Sequence, residues 1–181
     1  MKKIYLFLGI VVMALVMVSC GSGKQVASNL PCPECKATSD VFRYLGQHVA
    51  GSDRQIQQAR SLAANNARVQ LAAMVDATVK SVIDNYTSEY IADAESEFNQ
   101  RVQEIARTVV NQKLKGTPVI CEATVPGSQP GTTICYACVE LTGKSILDGI
   151  ASQISNDEKL RTDFEYEKFK KVLDEEMSKL Q

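Results

Sequence analysis

The chain has one histidine among 181 residues. That excludes any catalytic or metal site built on two imidazoles, and leaves a His–Cys pair as the most His48 can offer. Excess charge is also lacking. There are 20 basic and 21 acidic residues, and the net charge of −1 becomes −3 once Lys2 and Lys3 are set aside with the segment before Cys20. So balanced a surface excludes general nucleic-acid binding. There is no internal repeat and no apolar run of the ~20 residues that a bilayer span requires. Leu141-Thr142-Gly143-Lys144-Ser145 imitates the end of a phosphate-binding loop. However, Cys138 stands where that motif needs its first glycine, so the segment reads as a strand end followed by a helix start.

The N-terminus is where the sequence is most specific. Met1-Lys2-Lys3 is a short positive start, Ile4 to Val18 is apolar except for Gly9, and Met17-Val18-Ser19-Cys20-Gly21-Ser22 follows. Basic start, apolar core and small residues before a cysteine are the pattern of a bacterial lipobox, in which the cysteine is acylated and becomes the mature N-terminus. The expectation is therefore a signal peptide over 1–19 and lipidation of Cys20, leaving 162 residues. Two or three acyl chains at ~0.8 kcal/mol per buried methylene would anchor the protein stably without a spanning helix. No aspartate follows Cys20, which favours the outer membrane over the inner one. Gly21 to Leu30 is small and polar, as a tether should be.

Beyond the tether, Pro31-Cys32-Pro33-Glu34-Cys35 is stiffened by its prolines. Val41 to Ala50 reads as a strand, and Ser52 with Gln55 as a capping box opening a helix. Ile56, Ala59, Ala63, Ala67, Leu71, Met74, Thr78 and Val82 recur at helical spacing, and their small size suits close approach to a sheet. A break is expected at Asn85–Ser88, then a second helix through Ile91, Phe98, Val102, Ile105, Val109 and Leu114. A single bent helix over 53–115 would be far longer than usual. Val119–Val125 and Thr132–Thr142 read as a hairpin around Pro126–Gly131. A short helix follows over Ile146–Ile154. Ser155 with Glu158 suggests a capping box opening a charged tail helix with Glu167–Lys171 and Glu175–Lys179 pairs. Asp84, Glu89, Asp93, Glu95 and Glu97 read as a solvated helix face. The fold class is α+β: an N-terminal strand, long alanine-rich helices on a small antiparallel sheet with a β-hairpin, and a C-terminal amphipathic helix. The organisation expected is a lipidated tether with the CPEC segment over 20–40, an α+β domain over 41–155, and the C-terminal helix over 156–181.

The run FRYLGQHVA followed by GSDRQIQQARSLAANNARVQLAAMV, and later VVNQKLKGTPVICEATV with TICYACVELTGKSIL, resembles the Lpp-twenty family of bacterial envelope lipoproteins over residues 41–150. Ala59, Ala63, Ala67, Arg68, Leu71 and Ala72 occupy the positions of its alanine-rich helix. The resemblance implies a small α+β fold and an envelope location, and transfers no catalytic residues. The CPEC start and the C-x-x-C of the hairpin depart from the family pattern.

Five cysteines remain besides Cys20: Cys32, Cys35, Cys121, Cys135 and Cys138. Two C-x-x-C pairs invite a four-thiolate zinc site. Against it, Cys135 and Cys138 lie at odd spacing in a strand, which sends them to opposite faces, and an oxidising envelope favours disulfides. An odd number of thiols leaves one unpaired. Cys121 could bridge to Cys135 across the hairpin, or tether the Cys32 segment to the sheet and close a long loop worth ~3–5 kcal/mol. A thioredoxin-like role needs the first cysteine at a helix N-terminus after a buried strand, and a polar tether precedes Cys32 instead.

These readings lead to a non-enzymatic envelope lipoprotein, a membrane-anchored binding or assembly module with no cofactor beyond the lipid on Cys20 and no nucleic-acid partner. The alternative is a thiol-redox or zinc-binding envelope protein using Cys32/Cys35 and Cys135/Cys138. Tyr166, Phe169, Leu173 and Met177 form the apolar stripe of the tail, which serves either as a surface for an envelope protein partner or as packing onto its own domain.

Overall fold

The computed structural model describes residues 31–91 and 95–180. The leader, Cys20 and the tether to Leu30 lie outside the described residues, as does Asp93. The fold is α+β, with a three-stranded antiparallel sheet in the order β1-β3-β2. Its strands are β1 (Val41–Ala50), β2 (Val119–Pro126) and β3 (Thr133–Thr142). The helices are α1 (Ile56–Tyr90), α2 (Glu95–Leu114), α3 (Gly143–Ile154), α4 (Glu158–Asp163) and α5 (Tyr166–Ser178). No helix among the described residues is long and apolar enough to cross a membrane.

Alternation along β3 sorts the sheet into two faces. Cys135, Ala137, Val139 and Leu141 point toward the helices and are buried. Their register partners on β1 are His48, Gly46, Tyr44 and Phe42. The N-terminal half of α1 lies on this face, with Ala59, Ala63 and Ala67 buried against it. Gly46 is what permits the approach. A Cβ there would collide with the Ala63 carbonyl oxygen and the Ala67 amide nitrogen, both backbone atoms that cannot move aside. Alanine on the helix and glycine on the strand are thus two halves of one contact.

Farther along, α1 leaves the sheet and its buried side chains enlarge to Leu71, Val75, Val79, Val82, Ile83 and Tyr86, packed among α2, α3 and α5. Val75 takes the central place expected of Met74, which is only partly buried. The helix also continues through the expected break at Asn85–Ser88. Tyr86 and Thr87 are both buried, and packing overrides the local turn signal. Its end comes at Ile91, which is extended and whose N–H is bonded to the Thr87 carbonyl.

The first capping box does not form as expected. Gln55 Oε1 accepts from the Gly51 N–H at 3.0 Å, whereas the Ser52 side chain caps nothing. The second is displaced. Ser155 bonds back to the Ser152 carbonyl, and Asp157 instead caps α4, accepting from the Lys159 and Leu160 N–H groups.

The tail is two helices rather than one, divided at Phe164 and Glu165, both extended. Phe164 and Phe169 both join Tyr86, at ring separations of 6.3 and 5.3 Å. In one continuous helix, residues five apart point ~140° away from each other, so only a bend brings both rings to the same partner. The Tyr86 hydroxyl fixes that bend, donating to the Asp163 carbonyl at 2.9 Å and accepting from the Glu165 N–H at 2.8 Å. The tail's charge pairs also differ from those expected. Lys179 pairs with Glu176, and Lys171 reaches Glu89 and Glu175.

Candidate functional site: the four-cysteine latch

On the face of the sheet away from the helices, the segment Pro31–Lys36 is fastened by two disulfides. Cys32 is bonded to Cys121 and Cys35 to Cys138, with Cα–Cα separations of 6.0 and 5.9 Å. Both separations are ordinary for half-cystines. The stiff Pro-Cys-Pro-Glu-Cys run turns back on itself, and the Cys35 N–H bonds to the Cys32 carbonyl at 3.0 Å, so one turn carries both cysteines that bond to the sheet. Across from them, Cys121 and Cys138 are direct register partners on β2 and β3. Cys32 and Cys138 are buried, while Cys35 and Cys121 are half-buried.

A bulge in β2 aims Cys121 at this segment. Val119 pairs with Val139, but Cys121 pairs with Cys138, so the register slips by one residue between them. Without the slip, Cys121 would oppose Ala137 and point at the helices. With it, Cys121 joins Cys138 on the outer face. The bridge from Cys121 to Cys135 is thereby excluded: the two lie on opposite faces of the sheet, and Cys121 is bonded to Cys32. The expected set of Cys32, Cys35, Cys135 and Cys138 does not come together, because Cys135 lies on the other face and the other three are bonded in disulfides.

Arg43 reinforces the latch. Its guanidinium pairs with the Glu140 carboxylate at 2.7 Å, its cross-strand partner, and donates to the carbonyls of Glu34 at 3.1 Å and Lys36 at 3.4 Å. One side chain therefore binds strand to strand and strand to N-terminal segment. Its part was not legible in the sequence, because neither the β1–β3 register nor the path of residues 31–40 was.

Cys135 is the one unpaired cysteine among the described residues, buried on the helix side with its thiol 3.8 Å from the Ile56 carbonyl oxygen. It is separated from the other four by the thickness of the sheet. His48 is its register partner. The adjoining cleft, of about 190 Å³, is lined by His48, Val49, Gln55, Gln58, Ala59 and Leu62. No carboxylate lines it to orient the imidazole.

The apolar stripe of the tail is not open to a partner, which corrects one of the two readings of it. Phe169, Leu173 and Met177 are buried at 1–2% exposure in the same core as α1 and α3. Tyr166 is half-buried, with its hydroxyl bonded to Asp148 at 2.8 Å. The phosphate-loop imitation is a helix start as expected. Thr142 caps α3 by accepting from the Ser145 N–H, and Gly143 fits tightly beneath Met177. Among the acidic residues, Asp84 accepts from Asn99, Glu89 pairs with Lys171, and Glu97 pairs with Arg101 and Lys159.

A cleft of about 230 Å³ between α1 and α2 is lined by Asp76, Lys80, Gln103 and Arg107 over an apolar floor of Val79, Ile83 and Ala106. Partial burial pushes the Asp76 carboxyl above its usual value, against the opposing pull of Arg107. No family model, curated protein or solved structure matches this chain.

Proposed function

We propose that the protein is a lipid-anchored component of a bacterial cell envelope, held at the outer membrane through acylated Cys20, and that it works as a binding or assembly module rather than as an enzyme. The leading observation is the N-terminal pattern of Lys2-Lys3, the apolar Ile4–Val18 core and Val18-Ser19-Cys20. The resemblance of residues 41–150 to the Lpp-twenty family points the same way. Two disulfides suit a chain exported to an oxidising compartment. The latch adds a mechanical rationale. The tether would transmit any pull from the membrane into β2 and β3 through two covalent bonds, not into a strand end that could peel. The eleven Cα–Cα steps from Cys20 to Pro31 can extend roughly 40 Å at most, which keeps the domain near its bilayer.

With the tail stripe covered, the large apolar side chains left open among the described residues are Tyr44 and Val49 on β1 and Val69 on α1. These are the positions offered to an envelope partner.

The test is fractionation and intact mass from bacteria expressing the full gene. The expected result is a membrane-bound product lacking residues 1–19 and carrying a diacylglyceryl mass on Cys20, which becomes soluble in the Cys20→Ser variant. A product that retains its leader, or one that stays unacylated and soluble, contradicts the proposal.

A further inference from the structure

β2 is an edge of the sheet, and its outer side has no strand partner among the described residues. The Gly127 N–H bonds to the Thr132 carbonyl at 2.9 Å, one step beyond the last pair of the ladder. Counting back in twos from Gly127, the main-chain groups of Val125, Ala123 and Cys121 face β3, and those of Thr124 and Glu122 face outward. Beside this edge, α1 and β2 enclose a cleft of about 370 Å³. Its α1 wall carries Arg60 and Arg68, with Ala64 midway between them. Arg68 is held in place, donating to the Thr117 hydroxyl, the Thr117 carbonyl and the Asn65 side chain, each at 3.3 Å. Arg60 is half-buried, and its Nε is buried with no hydrogen-bond partner among the described residues. Carboxylates hold Arg43 and Arg101, but neither Arg60 nor Arg68, among the described residues. Glu122 is the one acid on the lining, so the cleft carries a net positive charge.

We infer that this cleft takes an extended acidic segment of a partner protein, which adds as a strand to the outer edge of β2 and sets carboxylates on Arg60 and Arg68. The spacing fits this occupant. Arg60 and Arg68 are eight residues apart on one helix, a rise of ~12 Å. In a strand, side chains four residues apart share a face and lie ~13 Å apart. The side chain between the two acids then faces Ala64, where a small apolar residue fits. Main-chain bonds to Thr124 and Glu122 hold the segment, and the guanidinium forks, suited to carboxylates, select its sequence. Glu122 disfavours any further acid beside it. The inference deepens the binding-module reading and rests on that reading, not on the lipid anchor. Its failure would leave Tyr44, Val49 and Val69 as the positions open to a partner.

The experiment titrates the full chain with Cys20→Ser, in detergent, into the fluorescein-labelled peptide Thr-Glu-Thr-Val-Thr-Glu-Thr and reads anisotropy. The expected result is saturable binding of one peptide per chain. Replacing both peptide glutamates by glutamine, or moving the second one residue along so that it points to the other face, should weaken binding by about tenfold or more. Arg60→Gln should weaken it to the same degree, whereas Arg107→Gln, which removes a cation from the cleft between α1 and α2, should leave it unchanged. Thr124→Pro removes an outward N–H that takes no part in the β2–β3 ladder, and it should abolish binding while circular dichroism reports an intact fold. No saturable binding, binding indifferent to Arg60→Gln, or a folded Thr124→Pro protein that binds as well as the parent would each overturn the inference. So would a dimer, seen by light scattering on the same samples, that Thr124→Pro dissolves, since the edge would then belong to a second copy of this chain.

Discussion

Cys121 and Cys138 face each other across the β2–β3 ladder, yet neither is bonded to the other. Each reaches outward to a different cysteine of the Pro-Cys-Pro-Glu-Cys turn. The sheet thereby holds the N-terminal segment at two points, and the two bonds are not independent. Alone, either closes a loop of about a hundred residues, the sequence separations being 89 and 103. In the chain-entropy account such a loop is worth ~4.7 kcal/mol. Once the first bond exists, the second closes only the short circuit through 32–35 and 121–138, worth ~3 kcal/mol. Removing the Cys35–Cys138 bond by paired alanine substitution should therefore cost about 3 kcal/mol, and removing both bonds about 7–8 kcal/mol. Chemical denaturation of the three proteins measures this. Equal costs for the first and second removal would contradict it.

The contact between Gly46 and α1 admits no side chain. Gly46→Ala should destabilise the protein by about 1–3 kcal/mol, because the colliding atoms are helix backbone. Gly46→Val should abolish the native thermal transition. A Gly46→Ala protein with wild-type melting temperature would show that α1 sits farther from the sheet than described.

The tail belongs to the core. Phe169→Ala, which removes a ring packed between Tyr86 and Phe164, should cost about 3–5 kcal/mol. Deleting residues 157–181 should lower the melting temperature far more than loss of a docking element could. A truncated chain that melts as the whole one does would restore the tail as a free binding element.

Glu176 predicts an acid dependence. It accepts hydrogen bonds from Ser81 at 3.0 Å and Asn85 at 2.8 Å, and pairs with Lys179. The Lys179 ammonium, foremost, and then Ser81 and Asn85, hold its carboxyl below the ordinary value against the opposing effect of desolvation. A folded-state value below the unfolded one stabilises the protein above the ordinary carboxylate range. That stability is lost as pH falls through the folded value. Stability should thus decline on acidification, and Glu176→Gln should be less stable near neutrality with a shallower acid limb. Parallel limbs for the two proteins would remove Glu176 from the account.

Much of this fold was legible in the sequence where periodicity and burial agree. Val41–Ala50, the hairpin and the alanine face of α1 follow from alternation, turn residues and small-residue spacing. What escaped depended on distant partners. The helix passes the turn signal at Asn85–Ser88 because Tyr86 is claimed by Phe98, Phe164 and Phe169. The tail bends at Phe164 without proline or glycine for the same reason. Among the site residues, the opposition of Cys135 and Cys138 follows from strand parity alone. The tether between Cys32 and Cys121 was one of two open pairings, and the choice between them lay in a one-residue bulge that Val-Ile-Cys-Glu does not announce. Arg43 was invisible as a latch residue until that register was known.

The central claim, that the N-terminal segment is latched to the outer face of the sheet by two crossed bonds, is tested most directly by disulfide mapping. Non-reducing proteolysis and mass spectrometry of protein purified from the membrane fraction should yield peptides linking Cys32 to Cys121 and Cys35 to Cys138, with Cys135 alkylated only after unfolding. Peptides linking Cys32 to Cys35, or Cys121 to either Cys135 or Cys138, would contradict it.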